Sequence, residues 1–428
     1  MSKIFAMIFT GIIVSFYYFP FEFSFLPGIN TKMGLALVGV CLAVLNLAKK
    51  REIKFPQNLL NIEIVALIVS LVGVISVTTN NTSDNAYATY FVSMTVWLSG
   101  AYSVCSLIKW VHKKVSVENI TAYLTVVCVV QCLLALMINS NLTLKNVIDT
   151  YVMQDQLFLS DVERLYGIGA SLDTAGVRFS ACLIMLMFVF NKNKSQMNRF
   201  EIILSIVAYL WISAIGNMIA RTTIIGVGVS IFYALMVFRS QNVNLSLFRV
   251  ARICLMILIV AIPLCKYLYD NSPQFYELSR FAFEGFFNLA ENGEWEIDSN
   301  EKLKSMIIFP DNLKTWVIGD GYFENPYYTD PYYVGYQPGG YYMGTDIGYC
   351  RFIFYFGLVG LLSFIFFLVT GARECILLLP QYKMLILFVL LLGFIIWLKV
   401  ATDIFLVLAL LLCIGNMQDE TPQLEEEV

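Results

Sequence analysis

Four arginines stand in an otherwise strongly apolar chain, and their chemistry frames the first functional question. Arg164 lies in Glu163-Arg164-Leu165-Tyr166-Gly167 and Arg178 in Asp173-Thr174-Ala175-Gly176-Val177-Arg178. Arg221 lies in Gly216-Asn217-Met218-Ile219-Ala220-Arg221-Thr222-Thr223, and Arg280 in Glu277-Leu278-Ser279-Arg280-Phe281. A guanidinium presents a planar fork of donors that matches phosphate bidentately, and it stays charged when partly buried. Several such groups at one membrane face could hold a pyrophosphate attached to a lipid. Each also has a plainer reading, as an interfacial snorkel or a loop salt bridge. Arg164 could pair with Glu163 or Asp161, and Arg178 with Asp173. Arg221 has no acid near it in sequence and occupies a short turn.

A second group of candidates lies in residues 322–342, which read YFENPYYTDPYYVGYQPGGYY. Tyr322, Tyr332 and Tyr336, with Tyr349 a little beyond, offer apolar faces to sugar rings and hydroxyls to their rims, which suits a glycan. An interfacial aromatic belt would use the same residue type. Asp346, in Gly344-Thr345-Asp346-Ile347-Gly348-Tyr349, closes this stretch. A carboxylate there could accept the proton of an attacking hydroxyl. It could equally be an acid placed at a helix N-terminus by the macrodipole. Arg351 follows five residues later, so helical spacing at i+3 or i+4 does not make the two neighbours.

Other chemistries lack their motifs. The chain carries no P-loop, no GxGxxG after a strand, no HExxH and no GxSxG. The one histidine, His112, falls in a basic cluster with Lys113 and Lys114, so histidine catalysis is not expected and no metal or other cofactor is implied. The cysteines, such as Cys41, Cys128, Cys132, Cys254 and Cys413, mostly lie inside apolar stretches without metal-ligand spacing, which reads as small buried hydrophobes. With a net charge of -3 and no basic stripe, nucleic acid is not an expected partner.

The elements that must position these residues are membrane spans. Hydrophobic residues make up 58% of the chain and charged ones only 14%, where a soluble domain carries roughly 25% charged, so lipid is the expected solvent. Apolar stretches fall near residues 4–20, 33–48, 58–78, 88–110, 117–138, 174–190, 201–218, 221–238, 250–267, 348–370, 383–398 and 402–416. The first follows Lys3 and lacks a small-residue cleavage site, so it reads as a retained helix. Basic residues recur in every second connection: Lys49, Lys50, Arg51 and Lys54; then Lys109, Lys113 and Lys114; then Lys192, Lys194 and Arg199; then Arg239, Arg249 and Arg252; then Arg373. The positive-inside rule makes those connections cytoplasmic, and both termini with them. The four arginines above are then outward exceptions. The expected fold is all-α: a polytopic membrane protein of about 12 transmembrane helices, residues 1–428 forming one membrane-embedded domain. Outward loops fall at 139–173 and, much larger, at 268–347, and the large loop is expected to bear part of an active site.

Three local patterns also resemble a known family. They are ARTTIIG around Arg221, opening a span; WVIGDGYF, Trp316–Phe323, with its Gly-x-Gly; and TDIGYCRFIFYFGLVGLL, Thr345–Leu362, with a polar residue eleven positions before a Gly-x-x-Gly helix. In this order, within residues 160–370, they resemble the O-antigen polymerase (Wzy) family, in the superfamily it shares with O-antigen ligases. The resemblance implies a metal-independent, inverting glycosyltransferase of the bacterial inner membrane. Its donor would be undecaprenyl-pyrophosphate-linked oligosaccharide, and a flippase and a chain-length regulator would share its pathway. It further implies Arg221 and Arg280 as catalytic groups at the departing pyrophosphate, Asp346 as base or orienter of the acceptor hydroxyl, and Arg164, Arg178, Tyr322, Tyr332, Tyr336 and Tyr349 as substrate-binding. The family's Arg-x10-Gly pattern is missed narrowly, since Arg164 to Gly176 and Arg280 to Gly293 enclose eleven and twelve residues. Ligases carry a histidine where this chain has Asp346, which favours a polymerase. The alternatives are a ligase passing polymer to a lipid A core and a transporter of lipid-linked glycan.

Overall fold

The computed structural model describes residues 3–50, 56–154, 164–240, 245–326 and 340–419. Among them the chain is almost wholly helical, with one two-residue antiparallel pairing, Glu22–Phe23 against Val152–Met153. An apolar helix lies at each of the twelve expected stretches. Eight helices in the described residues are long and apolar enough to cross a membrane, and four shorter apolar helices accompany them. The chain is a multi-pass α-helical membrane protein.

Side-chain placement shows why lipid must surround these helices. The Gln57–Asn80 helix buries Ile62, Val65, Ala66, Val69 and Val77, yet leaves Leu60, Ile64, Leu67, Leu71 and Ile75 uncovered. A helix in water would carry polar residues on that second face; one that is apolar all round belongs in a core or a bilayer. The Arg252–Asn271 stretch repeats the point, with Leu255, Ile259, Val260 and Ile262 uncovered.

The helices form two compact units interleaved in sequence, one from residues 1–35 and 106–297, the other from 36–105 and 298–428. In the first unit the Leu172–Asn193 helix is central. It packs on the Val117–Ser140, Arg199–Ile219 and Thr223–Ser240 helices and buries residues on all sides, from Ala175 and Val177 to Leu186 and Phe188. Local signals fix its neighbours. Asn198 and Glu201 form a reciprocal capping box at the start of Arg199–Ile219, satisfying two backbone donors that a helix start leaves open.

In the second unit the Gly348–Leu378 helix is central and packs on Gln57–Asn80, Leu313–Ile318, Lys383–Ile396 and Phe405–Asp419. The expected uninterrupted span is here broken. Phe356 (φ -139°, ψ 19°) and Gly357 (φ 68°, ψ -172°) leave helical geometry. A left-handed φ is open to glycine and costly for other residues. The break strips the Phe354 and Tyr355 carbonyls of helical partners, and the Gly319–Gly321 loop supplies replacements. Asp320 N donates to Phe354 O at 2.6 Å and Gly321 N to Tyr355 O at 3.0 Å. The Ser76 hydroxyl adds a bond to Tyr355 O at 2.6 Å. Backbone contact is so close that a Cβ on Gly357 would stand 2.2 Å from the Val317 carbonyl carbon and oxygen. One on Gly319, also at positive φ, would stand 2.4 Å from Tyr355 O. The Gly-x-Gly and Gly-x-x-Gly patterns are therefore two halves of one joint.

That joint predicts a strong position dependence of glycine substitution. Gly357→Ala forces both a clash and a positive φ, and should destabilise by about 3 kcal/mol or more. Gly228→Ala, where a Cβ meets nothing within 4 Å, should be neutral or slightly stabilising. Thermal unfolding of the two purified variants in detergent checks this; equal midpoints would refute the joint.

Candidate functional site

In the first unit, Arg221 sits where two short helices meet. The Asn217–Thr223 turn is pinned to the central helix: Thr222 Oγ1 donates to Asp173 Oδ1 at 3.0 Å, and Ser180 Oγ donates to Thr222 O at 3.0 Å. From this turn two side chains reach the end of the Pro273–Ala282 helix. Arg221 Nε donates to Phe281 O at 3.0 Å, and Asn217 Nδ2 to Ala282 O at 2.6 Å. These are last-turn carbonyls that a helix cannot satisfy itself, and a cation beside them also meets the negative end of the dipole. On its other side Arg221 Nη2 lies 2.7 Å from Glu284 Oε2, in the first turn of the Glu284–Asn292 helix. No acid lies near Arg221 in sequence, and its counter-ion is 63 residues away. The counter-ion comes from just past the end of the Pro273–Ala282 helix, and both side chains are largely buried.

Arg164 reaches the same place. Its guanidinium stands 5.1 Å from the centre of the Phe281 ring, and that of Arg221 stands 4.0 Å from it. A ring attracts cations through its quadrupole without neutralising them. Arg164 Nε is buried without a hydrogen-bond partner. Its suggested partners Asp161 and Glu163 lie outside the described residues. The strap carrying Arg164 is held by the buried amide of Gln131, which donates to Ile168 O at 2.9 Å and accepts from Ile168 N at 3.0 Å. Tyr166 donates to Asp149 Oδ1 at 2.8 Å. Burial first, and that bond second, raise the Tyr166 phenol above its ordinary value, so it stays protonated.

The other two arginines are engaged elsewhere. Arg280 pairs with Glu291 through both ends of its fork, the second contact being 2.9 Å, and its guanidinium lies 4.8 Å from the Phe287 ring centre. The hydrogen bond that Arg280 donates to Glu291 holds the Arg280 cation above its ordinary range, and the same bond lowers the Glu291 carboxyl. Arg178 lies 5.7 Å from the Phe19 ring centre, and its carbonyl accepts from the Tyr18 hydroxyl at 2.7 Å.

The second unit holds Asp346, Tyr322 and Tyr349. Tyr322 lies against Tyr342, ring centres 5.3 Å apart, and Tyr342 in turn donates to Asp320 Oδ2 at 3.3 Å. Tyr349 donates to Phe394 O at 3.0 Å and packs edge-on against Trp397. Tyr332 and Tyr336 lie outside the described residues. Asp346 precedes the helix that starts at Gly348, and its charge acts on Arg351, so helical spacing was a poor guide to that pair.

Arg351 is the residue that sequence reasoning passed over. It is 4% exposed, lies between the Phe323 and Tyr341 rings with centres 3.7 and 3.6 Å away, and donates to Phe323 O at 3.2 Å. Asp84 accepts from Phe323 N at 2.8 Å and Glu324 N at 3.1 Å. Arg351 and Asp84 together tie the base of the tyrosine-rich segment to the broken helix. Phe281 and Glu284 were also missed, since neither has a sequence relation to the Arg221 turn. Among the described residues no group of three His, Cys, Asp or Glu could hold a metal ion. No protein-family model, curated protein or solved structure matches the chain.

The two ion pairs should behave differently. The Arg221–Glu284 pair has side chains 18% exposed on both sides, so Glu284→Gln strands a largely buried cation. It should cost about 2–3 kcal/mol, and much less when combined with Arg221→Gln. Glu291 is exposed and its carboxyl is lowered, so its stabilisation is present above the ordinary value of 4.5 and fades as pH falls through the folded-state value. Glu291→Gln should therefore lower the unfolding midpoint slightly at pH 7, and the difference should shrink as the pH is taken down from 4.5. Midpoints of the three variants at pH 7 and at a series of lower pH values test both statements.

Proposed function

We propose that the chain is a membrane polysaccharide polymerase: an inverting glycosyltransferase joining polyprenyl-pyrophosphate-linked oligosaccharide repeats at the outer face of a bacterial inner membrane. The observation that carries this reading is the convergence of Arg164 and Arg221 on one ring, Phe281. Arg221 has Glu284 as its counter-ion, whereas Arg164 brings to the same ring a buried Nε without a hydrogen-bond partner, a donor that an anionic visitor would engage. A lipid-linked pyrophosphate supplies one.

In the reaction, the acceptor hydroxyl attacks the anomeric carbon of the growing chain. The new carbon–oxygen bond forms as the bond to pyrophosphate breaks, and the hydroxyl proton passes to a carboxylate base. Charge builds on the departing pyrophosphate, and preorganised guanidinium donors stabilise it without reorganising. Arg164 and Arg221 take that task, and Arg280 joins them once it exchanges Glu291 for phosphate. Glu284 acts as a positioning residue, fixing the Arg221 fork. Both termini are cytoplasmic in this reading and twelve helices cross. An outward Arg164–Arg221 site suits either an O-antigen polymerase or the related ligase, and Asp346 in place of a histidine favours the former.

One observation favours a second reading, a transporter of lipid-linked glycan. Transporters are built around discontinuous helices, and the Gly348–Leu378 helix is one. Here, though, the freed carbonyls are sealed by the Gly319–Gly321 loop and Ser76, which leaves them little capacity to bind cargo.

Arg164 gives the cleanest test, because Arg221 also caps a helix and its loss disturbs folding. With purified protein and synthetic lipid-linked repeats, Arg164→Ala should keep its unfolding midpoint and lose long-chain product by about 100-fold or more. Undiminished polymer from this variant would overturn the reading. Lipid-linked glycan moved across a proteoliposome membrane without any bond formed would establish the transporter instead.

A further inference from the structure

Where the Lys3–Tyr18 and Val117–Ser140 helices end, the first unit carries a small platform, built from residues 19–30 and from the Leu142–Tyr151 helix with the strand after it. The antiparallel pairing of Phe23 with Val152 joins the two parts, and Ser24 N donates to Tyr151 O at 3.0 Å. Beneath them Phe21, Ile138, Ile148, Val152 and Tyr166 form an apolar core, against which Phe16 and Phe23 pack. The turn itself is also fixed. Gly28, at φ 84°, donates its N–H to Glu22 Oε2 at 3.0 Å, and Thr31 N donates to Phe21 O at 2.9 Å.

A turn so well held has every opportunity to bury its apolar side chains, and it does the reverse. Phe25 is 70% exposed, Leu26 and Ile29 are exposed beside it, and Leu142, Tyr151 and Met153 are exposed on the other part. Strand alternation accounts for Met153, since Val152 takes the core face and its neighbour takes the other. Residues 24–29, Ser-Phe-Leu-Pro-Gly-Ile, contain no charge. An apolar patch on elements that are themselves rigid marks a surface that something covers.

The two borders of the patch say what covers it. Val126, Val130, Leu133 and Met137 of the Val117–Ser140 helix are exposed at spacings of four, three and four, the pattern of one lipid-facing stripe. Leu142 follows that stripe directly. On the Thr31–Lys50 helix Met33, Leu37, Val40 and Val44 are exposed with the same spacings, and Ile29 precedes Met33 by four residues. The patch therefore joins two lipid-facing stripes at the point where both leave the hydrocarbon. The layer met there is the headgroup–acyl boundary, into which uncharged aromatic and aliphatic side chains partition.

We infer that the 24–29 turn and the Leu142–Met153 segment form an interfacial platform that binds phospholipid, lying in the boundary of one leaflet instead of projecting into water. Phe25, Leu26 and Ile29 from one part and Leu142, Tyr151 and Met153 from the other enter the acyl region, drawn by apolar burial and not by headgroup charge. The platform depends on the membrane fold and stands whether or not the chain is a transferase.

Nitroxide labels on the full chain in phosphatidylcholine nanodiscs test it. With Cys41→Ala, Cys254→Ala and Cys265→Ala the remaining thiols are buried, and Phe25→Cys, Leu142→Cys and Lys302→Cys are then labelled one at a time. Accessibility to oxygen, relative to a water-soluble nickel chelate, reads the depth of each label. Labels replacing Phe25 and Leu142 should lie about 5–10 Å below the phosphates. The label replacing Lys302, on a helix with no buried residue, should lie in water. Adding phosphatidylglycerol should leave the depths unchanged. Ile29→Cys and Met153→Cys provide the same reading where an unfolding midpoint shows that one of the first pair has not folded. Patch labels open to the nickel chelate would return the platform to water, and labels closed to both probes would mean that protein covers it. Either result, or insertion only when anionic lipid is present, overturns the inference.

Discussion

A polypeptide surrounded by lipid cannot hand an unused carbonyl to water, and the second unit is organised around that constraint. Its central helix leaves helical geometry at Phe356 and Gly357, and every consequence follows from satisfying the freed groups. The Gly319–Gly321 loop must come within backbone contact, so it needs residues without Cβ atoms there. The loop must then be held, which Asn80, Thr82 and Asp84 do from the end of the Gln57–Asn80 helix and the turn after it, while Ser76 bonds the Tyr355 carbonyl of the broken helix itself. Tyr355, next to the break, donates from its hydroxyl to Asp84 O at 2.9 Å and accepts from Tyr87 N. The break is thus a designed junction, where a loop segment, a helix end and a turn share one set of hydrogen bonds. The tyrosine-rich segment grows directly from that junction, which gives its otherwise irregular sequence a rigid base.

Charge is handled by a second economy, visible in both units. Arg164, Arg178, Arg221, Arg280 and Arg351 each place the guanidinium within 6 Å of an aromatic ring centre. Counter-ions would neutralise these groups outright and rings do not, so a ring is the partner to use when a cation must remain one. The five differ in how far they are neutralised as well. Arg280 has a two-point carboxylate, Arg221 a single close one with a helix end besides, and Arg351 a double stack. Arg164 has its ring and a buried, unpartnered Nε. Arg351 likewise keeps a buried Nε without a hydrogen-bond partner.

The helices were legible in the sequence because span length and hydropathy are properties of contiguous residues, and each expected stretch carries an apolar helix. What crosses between stretches was not. Glu284 was invisible as a partner of Arg221, because the turn and the helix start are brought together only by packing of the Pro273–Ala282 helix. Arg351 was set aside on helical spacing from Asp346, although Asp346 is not in the helix at all. The two glycine patterns were noticed for their resemblance to a family, yet their meaning, a loop sealing a broken helix, depends on a contact no spacing rule contains. Arg164 and Arg221 illustrate both sides: sequence marked them as misplaced cations, and only packing could put Phe281 between them.

This contrast bears on which arginine a phosphate would meet first. A guanidinium already bonded to a carboxylate and a helix carbonyl must give up at least one of them before it can form a bidentate pair with phosphate, and that exchange offsets much of the gain. Arg221 is in that position, so its contribution is strongest as a fixed positive charge that a visitor approaches without displacing Glu284. Arg164 gives up only weak contacts, and it lines a cavity of about 450 Å³. In the proposed reaction this gives a division of labour: Arg221, which holds the short helices in place, would set the field, and Arg164 would make the directed hydrogen bonds. Phe281 keeps two like charges on the same ring without bringing them into contact, so the pair is preorganised before any anion arrives.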